Sequence, residues 1–275
     1  MTAKKRPCNY CGRRMKTVPA SKENEMILYF SATGNCKYVA KRIAGAIGDT
    51  ACSIEGLSAE VTLREGEILG LVTPTYAWEL PLIVREYLEN MQISGNANPY
   101  TFVVATYGTM PGAACADAAH ILKKKGIKVS ARFCVKMPDT WTPWFDLSDP
   151  AKVHERNEKA EGEINSVITA ITARKTGNRM RLFAPYPVRF FTDSWYRSQR
   201  KTKNFFVEDS CIGCNLCAAQ CPASAIRLEN GKPVWQKEQC YLCLRCLHSC
   251  PKFAIQFGDG QTRKHGQYIN PNAKE

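Results

Sequence analysis

Short apolar runs recur along the first half of the chain, and polar or one-sided apolar segments separate them. Runs such as "MILYF" at 26–30 and "ILGLV" at 68–72 have the length and composition of strands. The pattern predicts five strands, at residues 26–30, 52–54, 68–72, 101–106 and 128–135. The run at 52–54 has the weakest pattern of the five.

Segments with apolar positions at helical spacing alternate with these strands. Four helices are predicted: one closed by Gly48, one opened by Pro81, one over about 113–125 that Gly126 stops, and one from Pro150 to Gly177 that Asp149 caps. Strands that alternate with helices indicate an α/β fold, in which helices cover both faces of a parallel sheet.

The loops after three of the strands are predicted to hold the chemistry. In a sheet of this kind, a ligand binds beyond the carboxyl ends of the strands, at the point where the strand order reverses. The loops concerned follow the first, third and fourth strands and comprise residues 31–36, 73–81 and 105–113. Each of the three loops has a distinctive composition.

The first loop, "SATGNC", turns directly into the start of a helix. Backbone N–H groups and the helix dipole at such a turn attract an anion, and hydroxyl and amide side chains assist at Ser31, Thr33 and Asn35. The loop lacks the lysine of a P-loop, so a nucleoside triphosphate is not expected. The sequence therefore predicts a receptor for a phosphate group.

Two cysteine clusters mark the second half of the chain. "CIGCNLCAAQCP" starts at residue 211, and "CYLCLRCLHSCP" repeats its spacing from residue 240. Three thiolates separated by two residues each lie on one tight loop and can reach three corners of an iron–sulfur cubane, while the fourth, before a proline, points away. The repeat therefore indicates iron–sulfur chemistry.

Two other uses of cysteine are less compatible with this spacing. Zinc sites are usually built from two separated cysteine pairs, or from cysteine with histidine, and need no third thiol at the same spacing. Disulfides need an oxidising compartment. The first residues of the chain are basic without an apolar core, so no signal peptide is predicted and a cytoplasmic location is expected.

The clusters resemble the motifs of bacterial two-cluster ferredoxins, in which the fourth cysteine of each motif binds the other cluster. The resemblance implies two [4Fe–4S] clusters with crossed ligands. The first would be bound by Cys211, Cys214, Cys217 and Cys250, and the second by Cys240, Cys243, Cys246 and Cys221. A domain of this size cannot be stable by apolar burial alone, so the clusters are expected to hold it together.

Residues 26–177 resemble the flavodoxins, on the strength of "YFSATGNCKYVA", "TPTYAWELP" and "ATYGTMPGA" in that order. The resemblance implies a five-stranded sheet of order 2-1-3-4-5 and bound FMN, with the first stretch as phosphate loop and the others around the isoalloxazine ring. The implied cofactor-binding residues are Ser31, Thr33, Gly34, Asn35, Cys36, Thr75, Tyr76, Ala77, Trp78, Tyr107, Gly108 and Gly112. Residues 26–258 together resemble the flavodoxin–ferredoxin fusion proteins of anaerobic microbes.

The two loops that would surround the ring, residues 73–81 and 105–113, are called the ring loops. Their composition by itself also suits a flat apolar ligand. Tyr76, Trp78 and Tyr107 are aromatic residues in loops, where the core does not require them. Gly108 and Gly112 would permit a close approach of the backbone. Each aromatic residue taken singly could equally be a ring that covers the surface.

Two positions depart from the flavodoxin pattern. Cys36 stands where Thr or Ser usually completes the phosphate loop, and it forms weaker hydrogen bonds than they do. Its position at a helix N-terminus predicts a thiol that ionises more readily, which would repel a phosphate and make the site sensitive to oxidants. Ala77 stands where related proteins often have Gly, and a positive φ there would be strained by about 1 kcal/mol.

The net charge of +13 is concentrated in two segments. Residues 1–22 hold seven Lys and Arg and no acid, and residues 174–203 hold nine Lys and Arg against one Asp. Such segments are most often solvated, but they could also dock on an acidic protein, on anionic lipid or on nucleic acid. No nucleic-acid-binding motif is visible to support docking on nucleic acid. No apolar run is long enough to cross a bilayer, so the membrane contact that the sequence allows is peripheral.

The predicted organisation has five parts: a basic tail at 1–25, a flavodoxin-like domain at 26–177, an aromatic and basic linker at 178–204, a ferredoxin domain at 205–258 and a tail at 259–275. The linker has six aromatic residues and is expected to pack between the domains rather than to move freely, a docking arm being the alternative. Cys8 and Cys11 look like half of a zinc knuckle, but two ligands do not close a zinc site.

These features favour an electron-transfer protein that passes electrons between FMN, two clusters and a redox protein partner. No arrangement of acid, base or nucleophile and no second dinucleotide motif is visible, so no catalytic residue is assigned. Two alternatives stay open. One is an enzyme whose flavin reduces a small substrate, and the other is a redox sensor that docks when Cys36 or a cluster changes state.

Overall fold

The structure of the chain is a computed structural model that describes residues 26–64, 66–95, 98–180 and 188–273, with the backbone alone at 188–193. The strands are β1 (Met26–Tyr29), β2 (Thr50–Ser53), β3 (Glu60–Thr62), β4 (Ile68–Pro74), β5 (Gln92–Ser94), β6 (Tyr100–Tyr107), β7 (Val129–Lys136), β8 (Gly177–Asn178), β9 (Phe205–Val207), β10 (Ile226–Glu229), β11 (Lys232–Trp235) and β12 (Ile255–Phe257). The α-helices are α1 (Asn35–Ile47), α2 (Leu82–Asn90), α3 (Ala114–Lys124), α4 (Pro150–Thr172), α5 (Val188–Gln199), α6 (Leu216–Ala219), α7 (Arg245–His248) and α8 (Gln261–His265).

Six strands form one parallel sheet in the order β2-β1-β4-β6-β7-β8. The first five are the five predicted strands, so the α/β fold and the order 2-1-3-4-5 are confirmed. β8 adds a short sixth strand at the edge. The prediction for this segment was wrong, because α4 ends at Thr172 and Gly177 begins β8 instead of closing the helix.

The sheet is covered on both faces, as the apolar pattern requires. β4 and β6 lie at its centre, and all but the last residue of each is buried. α1 and α4 pack on one face, and α2 and α3 pack on the other. The predicted cap of α4 is present, since Asp149 Oδ1 accepts hydrogen bonds from the N–H groups of Ala151 at 3.0 Å and Lys152 at 3.3 Å.

The cysteine-rich segment folds as a small α+β unit. β9 pairs with β12 and β10 with β11, both antiparallel. Each cysteine motif runs through a loop into a helix of four residues, α6 or α7. The residues before these helices, Asn215 and Leu244, both have positive φ, at 64° and 53°. The repeat in the sequence is therefore a repeat in the structure.

An apolar layer joins the two units. The core of the second unit is formed by Tyr196, Phe205, Leu242, Leu244, Leu247, Ile255 and Phe257. The side chains that pack against this core include Tyr76, Ala77, Leu82, Trp141 and Trp195. The linker at 178–204, which the sequence suggested to be extended, contains the helix α5. Its Trp195 and Tyr196 belong to this layer, so the two units share part of one core.

The last described residues also pack on the fold. α8 follows β12, and residues 267–273 then run back to the start of α1. Tyr268, Asn270 and Ala273 are buried, so this part of the predicted tail is an ordered component of the fold. Among the described helices, none has the length and apolar character that a membrane span requires.

Candidate cofactor sites

A cavity of about 460 Å³ lies at the carboxyl ends of the central strands. The loops after β1, β4 and β6 meet there, together with the loop after β7. Of the sequence-predicted residues, those that line the cavity are Ser31, Thr33, Asn35, Cys36, Thr75, Tyr76, Ala77, Trp78, Tyr107 and Gly108. Gly34 and Gly112 lie behind this lining and shape it. The volume is within the range of roughly 300–1,000 Å³ that is common for cofactor sites.

The loop after β1 has the geometry of an anion receptor. Gly34 has φ 97° and precedes α1, and its N–H donates to Ser31 Oγ at 3.1 Å. The N-cap residue Gly34 has no side chain with which to cap α1, and the positive end of this 13-residue helix lies at the cavity wall formed by Thr33, Asn35 and Cys36. A phosphate in this position would accept from backbone N–H groups.

Cys36 is a neutral buried thiol and not a reactive one. Its side chain is buried, and Sγ lies 3.0 Å from Thr106 Oγ1. Burial raises the pKa of the Cys36 thiol to about 12, although the hydrogen bond with Thr106 opposes this effect. The expectation that the helix N-terminus makes this thiol ionise more readily is wrong, because burial raises its pKa. A thiol in its neutral form carries no charge that would repel a phosphate.

The loop after β4 is a tight two-residue turn. Tyr76 N–H donates to Glu79 O at 3.1 Å, and Glu79 N–H donates to Tyr76 O at 2.9 Å. The two residues between them have positive φ, 49° at Ala77 and 64° at Trp78. This is the turn type that prefers Asn and Gly at both central positions, so Ala77 and Trp78 are strained.

The loop after β6 locks onto this turn. Ala113 N–H donates to Trp78 O at 2.7 Å, and Gly112, at φ 56°, lies directly beneath the turn. A Cβ at position 112 would lie 1.9 Å from Trp78 O. Only glycine fits there, and the two predicted ring loops are therefore one interlocked structure.

We predict that Ala77→Gly stabilises the protein. The left-handed conformation strains Ala by about 1–2 kcal/mol, while the greater freedom of Gly in the unfolded chain offsets roughly 0.4–1 kcal/mol. The free energy of unfolding should therefore rise by about 0.5–1 kcal/mol in chemical denaturation. Ala32→Gly is the matched control, because Ala32 lines the same cavity without a positive φ. Equal destabilisation by both substitutions would contradict the prediction.

A cluster of aromatic rings forms an apolar wall beside the turn. Trp141 contacts Trp144 and Trp195 edge to face, with ring centroids 6.4 Å apart in both pairs. Tyr196 contacts Tyr76 and donates from its hydroxyl to Tyr241 O at 2.9 Å. Trp144, with 63% of its surface exposed, stands at the mouth. The cavity thus offers the apolar cover that a planar ring system needs.

Two buried polar atoms in the cavity lining have no hydrogen-bond partner among the described residues. They are the Tyr76 hydroxyl and Trp141 Nε1. Leaving a buried donor unpaired costs about 1–3 kcal/mol, which is uncommon in a native fold unless a ligand supplies the partner. A ligand with both a planar apolar surface and polar edges fits these donors, and a flavin mononucleotide has this character.

Asp139 is a cavity residue that the sequence did not reveal. Its carboxylate accepts from Trp141 N–H at 3.1 Å, and a Cβ at Gly108 would lie 2.1 Å from its Oδ2. Burial raises the pKa of Asp139, although hydrogen bonds from the Trp141 and Thr109 backbones oppose this. Nothing in the pattern of the stretch "DTWTPW" at 139–144 indicates that its acid would face the cavity.

The first cysteine motif and the last cysteine of the second motif line one small cavity. Its cysteines are Cys211, Cys214, Cys217 and Cys250. Cys214 and Cys250 are also the cysteines whose charge would raise the pKa of Cys217, after the larger effect of burial. These four side chains come together although Cys250 lies 33 positions after Cys217 in the chain. Ala254 N–H donates to Cys250 Sγ at 3.3 Å.

The other four cysteines are gathered more deeply. The pKa of Cys243 is raised to about 12, mainly by burial and to a smaller extent by the nearby Cys240 and Cys221, although Arg245 opposes these effects. Cys246 is affected in the same way, with its pKa raised well above the usual value by burial and then by Cys243, Cys240 and Cys221. Ala225 N–H donates to Cys221 Sγ at 3.3 Å, which repeats the contact between Ala254 and Cys250.

Neither set has the geometry of a site for one metal ion. Within the residues that the structure describes, no three His, Cys, Asp or Glu side chains converge tightly enough for a single ion. A cubane binds its ligands at four corners and holds them farther apart than one ion does. The donor set, four thiols with backbone N–H groups directed at the sulfur atoms, fits a [4Fe–4S] cluster. Cys8 and Cys11 lie outside the described residues.

The second cysteine motif also forms part of the large cavity. Leu242, Cys243 and Leu244 lie in its wall, across from the loops of the sheet domain. Tyr241, the residue before them, donates from its hydroxyl to Glu86 Oε2 at 2.6 Å. Nothing in the sequence indicated that these residues would share a cavity with the predicted ring loops.

Arg245 fixes this arrangement. It lies between Cys243 and Cys246, and both of its terminal nitrogens donate to the carboxylate of Glu55 at 2.6 Å. Nη2 also donates to Ser31 O at 2.7 Å, at the start of the phosphate loop, and the guanidinium lies 5.5 Å from the centre of the Phe30 ring. The side chain of Arg245 is 13% exposed, so this bidentate pair is largely shielded from water.

Comparison with known proteins gives two family matches. The flavodoxin domain matches residues 26–166, and the 4Fe-4S dicluster domain matches residues 203–267. No curated protein sequence matches the chain.

Two solved structures are similar to the sheet domain at low identity. The Streptococcus pneumoniae TIGR4 flavodoxin is 17% identical, with 52% of this chain and 98% of that chain covered and a TM-score of 0.32. Rubredoxin oxygen:oxidoreductase from Desulfovibrio gigas is 13% identical, with 53% of this chain and 36% of that chain covered and a TM-score of 0.28.

Proposed function

Since this chain belongs to the flavodoxin-domain family and is fused to a 4Fe-4S dicluster domain, we propose that it transfers electrons between FMN, two [4Fe–4S] clusters and a redox protein partner. Family membership supports a redox role with a flavin and iron–sulfur chemistry. The identity of the flavin, the number of clusters and the partner are parts of the proposal. The observation that carries it is the shared cavity, in which Cys243 faces the ring loops.

The phosphate loop and ring loops together suit FMN. Backbone N–H groups from Ser31 to Cys36 would hold the phosphate, and the turn at Tyr76 to Glu79 with the wall of Trp141 and Trp195 would enclose the ring. Bound flavin can accept two electrons together and release them one at a time. The residues of the chain bind and orient it, exclude water from one side through the aromatic wall, and offer Asp139 as a buried carboxyl.

The cysteines would hold two clusters with crossed ligands. In the set that contains Cys243 and Cys246, Cys240 is buried and none of the four cysteines is exposed, and Cys243 lines the cavity. The other set lies nearer the surface, where Cys214 is exposed and the neighbouring Ile212 is 60% exposed. This gradient of burial orders the sites from the cavity through the inner set to the outer set. A partner would therefore exchange electrons at the outer set, and the net charge of +13 favours an acidic one.

A second function is supported by one observation. The cavity contains Asp139, whose pKa burial raises, and an open mouth beside Trp144. A buried carboxyl next to a flavin could exchange a proton with a small substrate, which favours the alternative of a flavin-dependent reductase. The sensor alternative loses one of its two triggers, because the Cys36 thiol is buried and its pKa is raised, while a change of state at a cluster stays open.

Cofactor analysis of protein purified without oxygen tests the proposal. We expect about eight iron, eight sulfide and one FMN per chain, with the visible absorption of both groups. Asp139→Asn separates the two functions, because it should leave electron exchange with a protein partner unchanged but slow the turnover of a small acceptor. Protein that contains iron but no flavin after reconstitution with FMN would contradict the proposal.

A further inference from the structure

The C-terminal segment forms direct contacts with both candidate cofactor sites. We define the C-terminal strap as residues 267–273, most of which follow the matched dicluster domain. At its start, Gln267 Nε2 donates to the backbone oxygens of Leu247 at 2.6 Å and Cys250 at 2.9 Å. Tyr268 N–H donates to His248 Nδ1 at 3.2 Å. The strap is therefore bonded to the second cysteine motif.

Its other end is bonded to the phosphate loop. Asn270 N–H donates to Thr33 O at 2.8 Å, and Lys37 Nζ donates to Ala273 O. A Cβ at Gly34 would lie 2.7 Å from the Cβ of Ala273 and 3.1 Å from that of Asn270, so glycine at this position also lets the strap approach. Asn270 is 1% exposed, which shows how closely the strap packs against the loop.

The strap also sets the orientation of one phosphate-loop side chain. Asn35 Oδ1 accepts from Asn270 Nδ2 at 3.0 Å and from the Tyr268 hydroxyl at 2.8 Å. The same hydroxyl lies 3.0 Å from Asn157 Oδ1, and its single proton is shared between the two acceptors. A carboxamide carries its donors and its acceptor on opposite edges, so these contacts leave the Asn35 NH₂ group for the cavity that Asn35 lines.

We propose that the C-terminal strap is a positioning element of the mononucleotide site, in which Asn270 and Tyr268 hold Asn35 so that it donates to the phosphate. This inference deepens the proposed binding of FMN and depends on it. Without the strap, the Asn35 amide is free to turn its oxygen towards the phosphate, and the Thr33 carbonyl loses its partner. Because the strap also binds the backbone at Leu247 and Cys250, it links the phosphate loop to the second cysteine motif.

The test compares FMN with riboflavin, which has the same ring but no phosphate. Asn270→Ala and Tyr268→Phe should weaken FMN binding at least about tenfold, equivalent to about 1.4 kcal/mol. Riboflavin affinity should stay within about twofold of the wild type. Tyr87→Phe is the matched control, because it removes a hydroxyl that donates to Ser58 O on the surface of the same domain. Affinities are measured by flavin fluorescence on protein that retains its clusters.

Hydrogen exchange of the wild-type protein gives a second readout that needs no variant. Binding at coupled sites is reciprocal, so FMN should slow amide exchange in residues 267–273 while riboflavin should not. Equal losses of FMN and riboflavin affinity in the variants, or exchange that FMN leaves unchanged, would overturn the inference. Absence of FMN binding to the wild type would instead refute the proposed function, so the two failures are distinguishable.

Discussion

Arg245→Met is expected to lower the free energy of unfolding by about 2–4 kcal/mol. Removing one partner of a buried ion pair costs about 3–5 kcal/mol, because the other charge stays buried and unpaired. Glu55 is 27% exposed, which lessens the penalty. The substitution also removes the donors to Ser31 O and Gln220 O, which adds to the loss. Chemical denaturation of cluster-loaded protein measures it.

Two further variants show whether the buried pair is the cause. Arg263→Met is the matched control, because Arg263 pairs with Glu208 within the second unit and its side chain is 57% exposed. That change should cost less than about 1 kcal/mol. The double variant Arg245→Met with Glu55→Gln should recover part of the loss, since no unpaired charge is left. Equal losses for Arg245→Met and Arg263→Met would contradict the assignment.

Cys250→Ala is expected to remove the cluster of the first motif rather than that of its own motif. Cys250 lies with Cys211, Cys214 and Cys217, so its loss should lower the iron content by about four atoms per chain. Cys221→Ala should remove the other four. Iron and sulfide analysis of protein purified without oxygen measures both changes, and Cys134→Ala, outside the motifs, is the control.

Pairs of substitutions decide whether the ligands cross. Cys211→Ala combined with Cys250→Ala should lose no more iron than either change alone, because both would disable one cluster. Cys240→Ala combined with Cys250→Ala should lose all of it. If the pair at 240 and 250 retained about four iron atoms while the pair at 211 and 250 retained none, each motif would hold its own cluster and the crossed assignment would be wrong.

The strands and helices of the sheet domain followed from the sequence because they depend on local pattern, whereas the strand order was implied by the resemblance to the flavodoxins. Buried runs such as Ile68–Pro74 and the cap at Asp149 are recorded in neighbouring residues. The short strand at Gly177 was missed, because two residues have no periodicity and their pairing depends on β7. Helix α5 was not predicted. The six aromatic residues of the linker indicated a packing surface, and their spacing was not tested for a helical period.

The candidate site was predicted loop by loop but not as a whole. The composition of the loops at 31–36 and 73–81 predicted that they line the site. Cys243 and Asp139 lie in the cavity wall because of tertiary packing, which composition does not reveal. Cys36 shows most clearly what the sequence could not predict. Its place at a helix N-terminus suggested a lowered pKa, but its burial raises the pKa, and no local pattern reveals that burial. Contacts between distant residues, such as the strap with the phosphate loop, leave no trace in one sequence.

The apolar layer between the units bears on how the molecule can be divided. Trp141 and Trp195 lie against Phe257 and its neighbours, so neither half covers its own aromatic side chains. Dividing the chain in the connecting segment would expose these rings to water and leave two complementary apolar surfaces that tend to associate. The natural unit of folding and purification is therefore the fused chain, and combining either unit with a foreign partner would require redesign of this apolar layer.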